Sequence, residues 1–361
     1  MKILHVITSL RMGGAEKLMV DMLPRMKAEG HEVDLCVFDG IRTPFYDGLE
    51  QCGINIIALG QSVYSFFNIF KLLKLLKQYD VIHSHNTACQ YNVAIANLFV
   101  HRHIFTTEHN TTNRRRNWGW KLLDKWMYRQ YDKIVCISEL TQNNLILHIG
   151  KDFLKNCTII YNGIDLEHFS AKKERAYDDE RHKVIVMVSA FREQKDQKTL
   201  IRAMQWLPDN YMLKLVGGGE ERLISECKNL ANELNVENRI GFLGVKTEIP
   251  EILQQADVVV LSSHYEGMSL SSLEGMASGR PFIASDVEGL CDIVGGYGVL
   301  FPHEDAESLA NEVKRLCENE EYSKEVTYKC QQRAKMYDIG VMVQKYLELY
   351  DWKKIKNKGN E

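Results

Sequence analysis

The stretch His264–Ser285 reads HYEGMSLSSLEGMASGRPFIAS. It follows an apolar run, Val258–Leu261, with the length of a fully buried strand. The stretch opens as a glycine-containing loop. Helical spacing then takes over from about Ser269 to Ser278, and Gly279-Arg280-Pro281 stops that helix before a second strand-like run, Pro281–Ala284. Strand, glycine loop and helix N-terminus together make an anion site. Unpaired backbone N–H groups and the positive end of the helix dipole face the ligand there. Glu266 lies in the loop and Glu274 lies two turns along the helix, so the two carboxylates can address different parts of one elongated ligand.

The same strand-then-helix alternation runs outward from this stretch. Lys2–Ile7, Val33–Phe38, Ile54–Leu59, Val81-Ile82, His103–Thr107, Lys133–Ile137 and Thr158–Tyr161 read as strands. Helical spacing of Leu18, Met22 and Met26 predicts a helix over Ala15–Glu29. Ser170–Lys183 is polar and lacks an apolar period, so it reads as a linker. The alternation then restarts with Val184–Ser189, Tyr211–Val216, Ile240–Leu243 and Gly298–Phe301 as further strands. Such alternation predicts βαβ units and parallel sheets with helices on both faces. At 361 residues the chain exceeds what one core sustains, which agrees with two similar α/β domains. Ligands of such sheets sit outside the carboxyl ends of the strands, so two facing domains would make an interdomain cleft.

Composition narrows the classes. Lys+Arg number 45 and Asp+Glu 48, a net charge of 45 − 48 = −3, which argues against a dedicated nucleic-acid binder. Nine cysteines without a CxxC pair read as reduced thiols of a cytoplasmic chain. Met1–Ile7 is too short for a secretory leader, and no apolar run reaches the ~20 residues needed to cross a bilayer. Charge is uneven: residues 1–170 carry 19 Lys+Arg and 16 Asp+Glu, leaving 45 − 19 = 26 and 48 − 16 = 32 for the remainder. The basic excess concentrates at Arg102–Lys133. No His/Cys/Asp cluster has metal-site spacing along the chain.

The quoted stretch resembles the signature of the retaining glycosyltransferases of family 4, E-x7-E within S-x-x-E-G-x-x-x-x-x-L-E-A-M-A-x-G-x-P. Ser263, Glu266, Gly267, Leu273, Glu274, Met276, Ala277, Gly279 and Pro281 match it, and Gly275 stands where Ala is common. Asp286 and Gly289 also match. The likeness extends over nearly the whole chain: SLRMGGAE at Ser9–Glu16, YDVIHSH at Tyr79–His85, TEHN at Thr107–Asn110, YDKIVCIS at Tyr131–Ser138, YNGID at Tyr161–Asp165 and RIGFLG at Arg239–Gly244. It implies the GT-B fold: a first Rossmann-like domain over 1–170 on the acceptor side, a second over 183–335 on the donor side, and a last helix over 337–354 crossing back to the first.

It also implies roles. Glu274 would hold the ribose of a nucleoside-diphosphate sugar, and Glu266 the donor sugar's hydroxyls. Backbone N–H groups of Gly267, Met268, Ser269 and Leu270 would hold sugar and phosphate oxygens. Lys195 would neutralise the diphosphate. Gly14 would let the backbone approach phosphate or acceptor, Gly244 would close the segment near the nucleobase, and His109 would lie beside the reacting carbon. Ala190 stands where the family often carries a diphosphate-gripping Arg. Either Arg192, two residues on, replaces it, or the phosphate site is dominated by Lys195. The chain has no D-x-D triplet, the metal-binding spacing of the other large glycosyltransferase fold, so no essential metal and no cofactor are expected.

The implied reaction is metal-independent hexosyl transfer with retention, UDP being the favoured nucleotide. The setting is assembly of a capsule or O-antigen type polysaccharide on a lipid-linked acceptor. A small soluble glycoside as product, or a catalytically weak scaffold subunit, are the alternatives. Asn113–Tyr131, NRRRNWGWKLLDKWMYRQY, mixes cations with three Trp, which suits contact with the inner face of an anionic membrane. A solvated helix with its Trp side turned inward is the competing reading. Ser65–Lys77 reads as a sheet-covering amphipathic helix, and Gly217–Gly219 as the turn after a strand.

Overall fold

The structure, a computed structural model, describes residues 1–351 apart from Met12, Gln61, Tyr64, 112–117 and 171–181. The expected linker and the polar end of the chain fall largely outside the described residues. The chain divides into two units, Met1–Gly163 with the closing helix Ile339–Tyr350, and Ile164–Asp338.

The first unit is built on a seven-stranded sheet. Its strands are β1 (Lys2–Ile7), β2 (Glu32–Val37), β3 (Asn55–Ala58), β4 (Val81–His85), β5 (His103–Glu108), β6 (Lys133–Cys136) and β7 (Cys157–Ile159). Their order is β3-β2-β1-β4-β5-β6-β7, and every pairing is parallel. Alternation along β1 decides what covers each face. Ile3 and Ile7 join Met342, Val343 and Tyr346 of the closing helix on one side. Leu4 and Val6 join Leu72 and Val93 on the other. Both faces are therefore buried, as a parallel sheet requires, and each fully buried aliphatic side chain contributes ~1.5–3 kcal/mol.

The second unit carries a six-stranded sheet. Its strands are β8 (Lys183–Val188), β9 (Tyr211–Val216), β10 (Ile240–Gly244), β11 (Val258–Leu261), β12 (Phe282–Ser285) and β13 (Val299–Phe301). The order is β10-β9-β8-β11-β12-β13, again all parallel. Strand order reverses between β8 and β11. The loops leaving those two strands thus diverge at a topological switch point, where such sheets bind ligands.

The boundary falls at Gly163 rather than near residue 170. The short helix Leu166–Ser170 belongs to the second unit because Phe169 is buried there and its carbonyl accepts from Gln254 Nε2 at 3.0 Å. Likewise Tyr337 stays with the second unit, its carbonyl accepting from Ile164 N–H at 2.9 Å.

The helix Leu270–Ala277 explains the family-signature departure at Gly275. A Cβ there would lie 2.5 Å from Phe282 Cδ2 and 3.1 Å from Val259 Cγ1. The Phe282 ring, buried on β12, fills the space of the missing methyl. Gly275→Ala is expected to destabilise the protein by ~1–3 kcal/mol through overpacking. A urea midpoint equal to that of the parent chain would refute this.

Candidate functional site

The two loops at the second switch point are Ser189–Asp196, after β8, and Ser262–Ser269, after β11. They are laced by backbone and side-chain bonds. His264 N–H donates to the Gln194 carbonyl at 2.8 Å, Ser262 Oγ donates to the Asp196 carbonyl at 2.8 Å, and Gln194 Nε2 donates to the Tyr265 carbonyl at 2.8 Å. This lacing seats Glu266, only 4% exposed, against Lys195. Lys195 Nζ donates to Glu266 Oε1 at 2.5 Å, and Ser263 Oγ donates to the same oxygen at 2.7 Å. Gln194 Nε2 reaches Oε2 at 3.3 Å. A carboxylate this buried needs such partners. The ammonium has three donors and spends one on Glu266. Lys195 is thus a positioned cation with donors left for a ligand.

Glycines bring the backbone close around the pair. Gly289 has φ +85°, and a Cβ on it would stand 2.1 Å from the Glu266 carbonyl oxygen. Any side chain there would push the Glu266 loop away. Gly217, at φ +143°, presses likewise on the Ser189 carbonyl. Gly219 bridges to Phe191. The glycine run after β9 is therefore a turn that also supports the loop bearing Lys195. Gly244, at φ +65°, ends β10, and its carbonyl accepts from Gly217 N–H at 2.8 Å.

Next comes the helix Leu270–Ala277. Its N-cap, Ser269, makes no side-chain cap bond. The first-turn N–H groups of a helix have no intrahelical acceptors, so this end presents donors and the positive dipole end beside Gly267 and Met268. Ser269 and Met268 are buried, and Glu274, 8% exposed, lies further along the helix. Arg192 is exposed in the loop after β8; its carbonyl accepts from Lys195 N–H at 2.9 Å, and its side chain makes no hydrogen bond or ion pair among the described residues. The structure thus brings together Lys195, Glu266, Gly267, Met268, Ser269 and Leu270 at one switch point. Sequence reasoning missed the roles of Ser263, which matches the signature, and of Gln194, next to Lys195; both hold Glu266.

His109 and Gly14 belong to the first unit. Gly14 opens the helix Gly14–Ala28 after β1 and is exposed. His109 follows β5, half-buried, at the end of a chain of imidazoles. His5 Nδ1 lies 3.0 Å from His85 Nε2, and His85 Nδ1 lies 2.9 Å from His109 Nε2. His83, also buried, bonds Tyr350 Oη of the closing helix at 2.7 Å and Thr107 Oγ1 at 2.7 Å. Burial pushes His5 down to about 3 and His109 down to about 4, and lowers His83 and His85 well below the usual imidazole range. All four are neutral at pH 7. His5 Nε2 has no hydrogen-bond partner among the described residues. A buried N–H without an acceptor is rarer than an unpaired lone pair, so His5 donates through Nδ1. That choice sets each tautomer in turn: His85 accepts at Nε2 and donates at Nδ1, and His109 accepts at Nε2 and carries its proton on Nδ1. Three strands supply this chain, and no spacing in one segment reveals it.

Two all-parallel α/β units, the second with a buried Lys–Glu pair and an uncapped helix end at its switch point, make the GT-B fold of a glycosyltransferase. The chain belongs to the group 1 glycosyltransferases: residues 12–168 match Glycosyltransferase Family 4, and residues 169–333 match Glycosyl transferases group 1. It is 26% identical to the Escherichia coli UDP-Gal:alpha-D-GlcNAc-diphosphoundecaprenol alpha-1,3-galactosyltransferase, over 88% of this chain and 88% of that one. It is 30% identical to the Campylobacter jejuni N,N'-diacetylbacillosaminyl-diphospho-undecaprenol alpha-1,3-N-acetylgalactosaminyltransferase, over 58% of this chain and 57% of that one. Among solved structures it resembles Anabaena Alr3699/HepE in complex with UDP and glucose, with a TM-score of 0.87 and 22% identity over 97% of this chain and 99% of that one.

Proposed function

We propose that this chain transfers a hexosyl group, with retention at the anomeric carbon, from a UDP-sugar to a hydroxyl of a lipid-diphosphate-linked glycan. The observation that carries this reading is the buried Lys195–Glu266 pair beside the N-terminus of Leu270–Ala277. Glu274 takes the ribose, and Glu266 takes hydroxyls of the transferred sugar. Backbone N–H groups from Gly267 to Leu270 take sugar and phosphate oxygens, and the RIGFLG segment ending at Gly244 lies toward the base. Gly14 and His109 serve the acceptor side and the transferred sugar. Lys195, with Arg192 three residues before it, supplies the positive charge that a divalent metal supplies in other transferases.

In the transfer step the bond from the anomeric carbon to the diphosphate oxygen breaks. A bond to the acceptor oxygen forms on the same face, and the acceptor proton passes to a diphosphate oxygen. The leaving diphosphate, already carrying two negative charges, gains a third as the bond breaks, so a fixed cation and helix N–H groups lower the barrier without reorganising. If the donor is an ordinary α-linked UDP-hexose, retention gives an α-glycoside, the anomer named in both relatives. The test is incubation in EDTA with a panel of UDP-sugars and a short-chain polyprenyl-diphosphate-linked sugar, with proton NMR of the product. One α-linked product supports the reading, and a β-linked product or strict dependence on added Mg²⁺ overturns it.

The acceptor's lipid bears on a second part of the proposal, peripheral contact with an anionic membrane through Asn113–Tyr131. No helix among the described residues is long and apolar enough to cross a membrane. Residues 113–117 lie outside the described residues. In the remainder, Trp118 is 91% exposed and Leu122 80% exposed, whereas Trp126 packs on the core. Exposed Trp and Leu beside Lys121 and Lys125 suit an interface. Co-sedimentation with vesicles containing anionic lipid is expected, and Trp118→Asp/Leu122→Asp should abolish it. Absence of pelleting by the parent chain would end this part of the proposal.

A further inference from the structure

We propose that the second unit holds a transition-metal site, of the kind that takes Zn²⁺, formed by His264, His303 and Glu304, with the buried Asp196 carboxylate beside His264. Three loops supply these residues, after β8, β11 and β13. His264 Nδ1 lies 2.7 Å from His303 Nε2 and 3.4 Å from Glu304 Oε1. Asp196 Oδ2 lies 3.9 Å from His264 Nδ1, and Glu304 Oε1 lies 4.0 Å from His303 Nε2. Donors bound to one tetrahedral Zn²⁺ at ~2.0–2.1 Å stand ~3.3–3.4 Å apart, and these distances bracket that value. His264, His303 and Glu304 form the metal-capable cluster among the described residues. Asp196 points to it independently. Its side chain is 6% exposed, Oδ1 accepts from Thr199 N–H, and Oδ2 has no hydrogen-bond partner. A buried carboxylate oxygen without a donor is costly, and a cation between it and the two imidazoles removes that cost.

The chemistry of the set selects the ion. Two imidazole nitrogens and a carboxylate oxygen, with the fourth position open to water, suit Zn²⁺ and its borderline neighbours, and Mg²⁺ prefers oxygen and water. Without metal, one of the two facing nitrogens must carry the proton that bridges 2.7 Å. Metal takes that hydrogen's place, and the ring keeps its proton on the other nitrogen. Asp196 and Glu304 also hold left-handed backbones, with φ of +44° and +63°, which non-glycine residues adopt at a cost. Asp196 adjoins Lys195 and His264 lies two residues before Glu266. Bound metal therefore ties the loop of the cation to the loop of the carboxylate. The metal's role here is to fix loops rather than to touch the diphosphate.

The test is calorimetric titration of ZnCl₂ into untagged full-length protein, stripped with EDTA and desalted, repeated with MgCl₂ and followed with Co²⁺ by visible absorption. One equivalent of Zn²⁺ should bind, Co²⁺ should show tetrahedral bands, and Mg²⁺ should give no heat. Loss of an outer partner of a metal ligand weakens binding ~10–100-fold, so His264→Ala/His303→Ala should weaken it at least ~100-fold. Both imidazoles are partly exposed, so the double variant should fold; His303→Gln, on the surface, is the second variant and should also weaken binding. Cys52→Ser, which removes the exposed thiol, should leave binding unchanged. No stoichiometric binding by the parent chain, or equal affinity in the histidine variants, would overturn the site.

Discussion

Lys195→Ala is expected to lower kcat/KM for transfer by about 10²–10³-fold, the effect of losing one positioned donor to developing charge. The same substitution should cost stability. It strips the ion-pair partner from Glu266, whose side chain is 5% exposed. Breaking a buried pair typically costs ~3–5 kcal/mol, and the bonds from Ser263 Oγ and Gln194 Nε2 keep the cost near the lower end. The two effects separate in a double variant. Lys195→Met/Glu266→Gln removes the charge from both partners, so it should recover most of the stability and none of the activity. A Lys195→Ala enzyme within three-fold of the parent would contradict the role given to the cation.

The second large effect is acid sensitivity of the first unit. His5, His83, His85 and His109 are kept neutral by burial, with His5 down to about 3 and His109 down to about 4. In the unfolded chain each titrates near 6.5. Below that pH the unfolded state binds more protons than the folded state, so stability rises with pH and is lost on acidification. The loss begins near pH 6.5 and continues down to the folded values. At pH 5 it is ~1.4 × 1.5, or ~2 kcal/mol per imidazole, hence ~4 kcal/mol from His5 and His109 together. His83 and His85 act in the same direction. Against pH 7, a melting temperature lower by ~8–16 °C is expected at pH 5 for a unit of this size. His5→Phe should flatten the dependence. A melting temperature unchanged between pH 7 and pH 5 would show that these rings are not held neutral.

What was legible in the sequence follows from what is local. β1, β9 and β11 begin and end where the apolar runs do, because a strand buried on both faces is a continuous apolar run. The Lys195 and Glu266 loops were legible because each is bounded by a strand and a helix start. Other features depend on several segments meeting. The domain boundary moved to Gly163 because Phe169 is buried against Gln254, a contact no local pattern announces. His85 could be read either way in sequence. Its place between His5 and His109 is set by the parallel pairing of β1 with β4 and β4 with β5. Gly275, standing where Ala is common, is required by the Phe282 ring, a contact made only once β12 packs on the helix. The Trp-containing segment also divides, with Trp118 outward and Trp126 on the core, a split that depends on what packs against the helix.

The central claim is that the second unit binds a nucleoside-diphosphate sugar at Lys195, Glu266 and the helix carrying Glu274. Calorimetric titration of UDP in EDTA, on the parent chain and on Glu274→Ala, tests it most directly. One site on the parent chain is expected, with at least ten-fold weaker binding in Glu274→Ala, since a methyl group cannot replace a buried carboxylate proposed to take the ribose. Absence of heat with UDP and with GDP, or equal affinity in the two proteins, would contradict it.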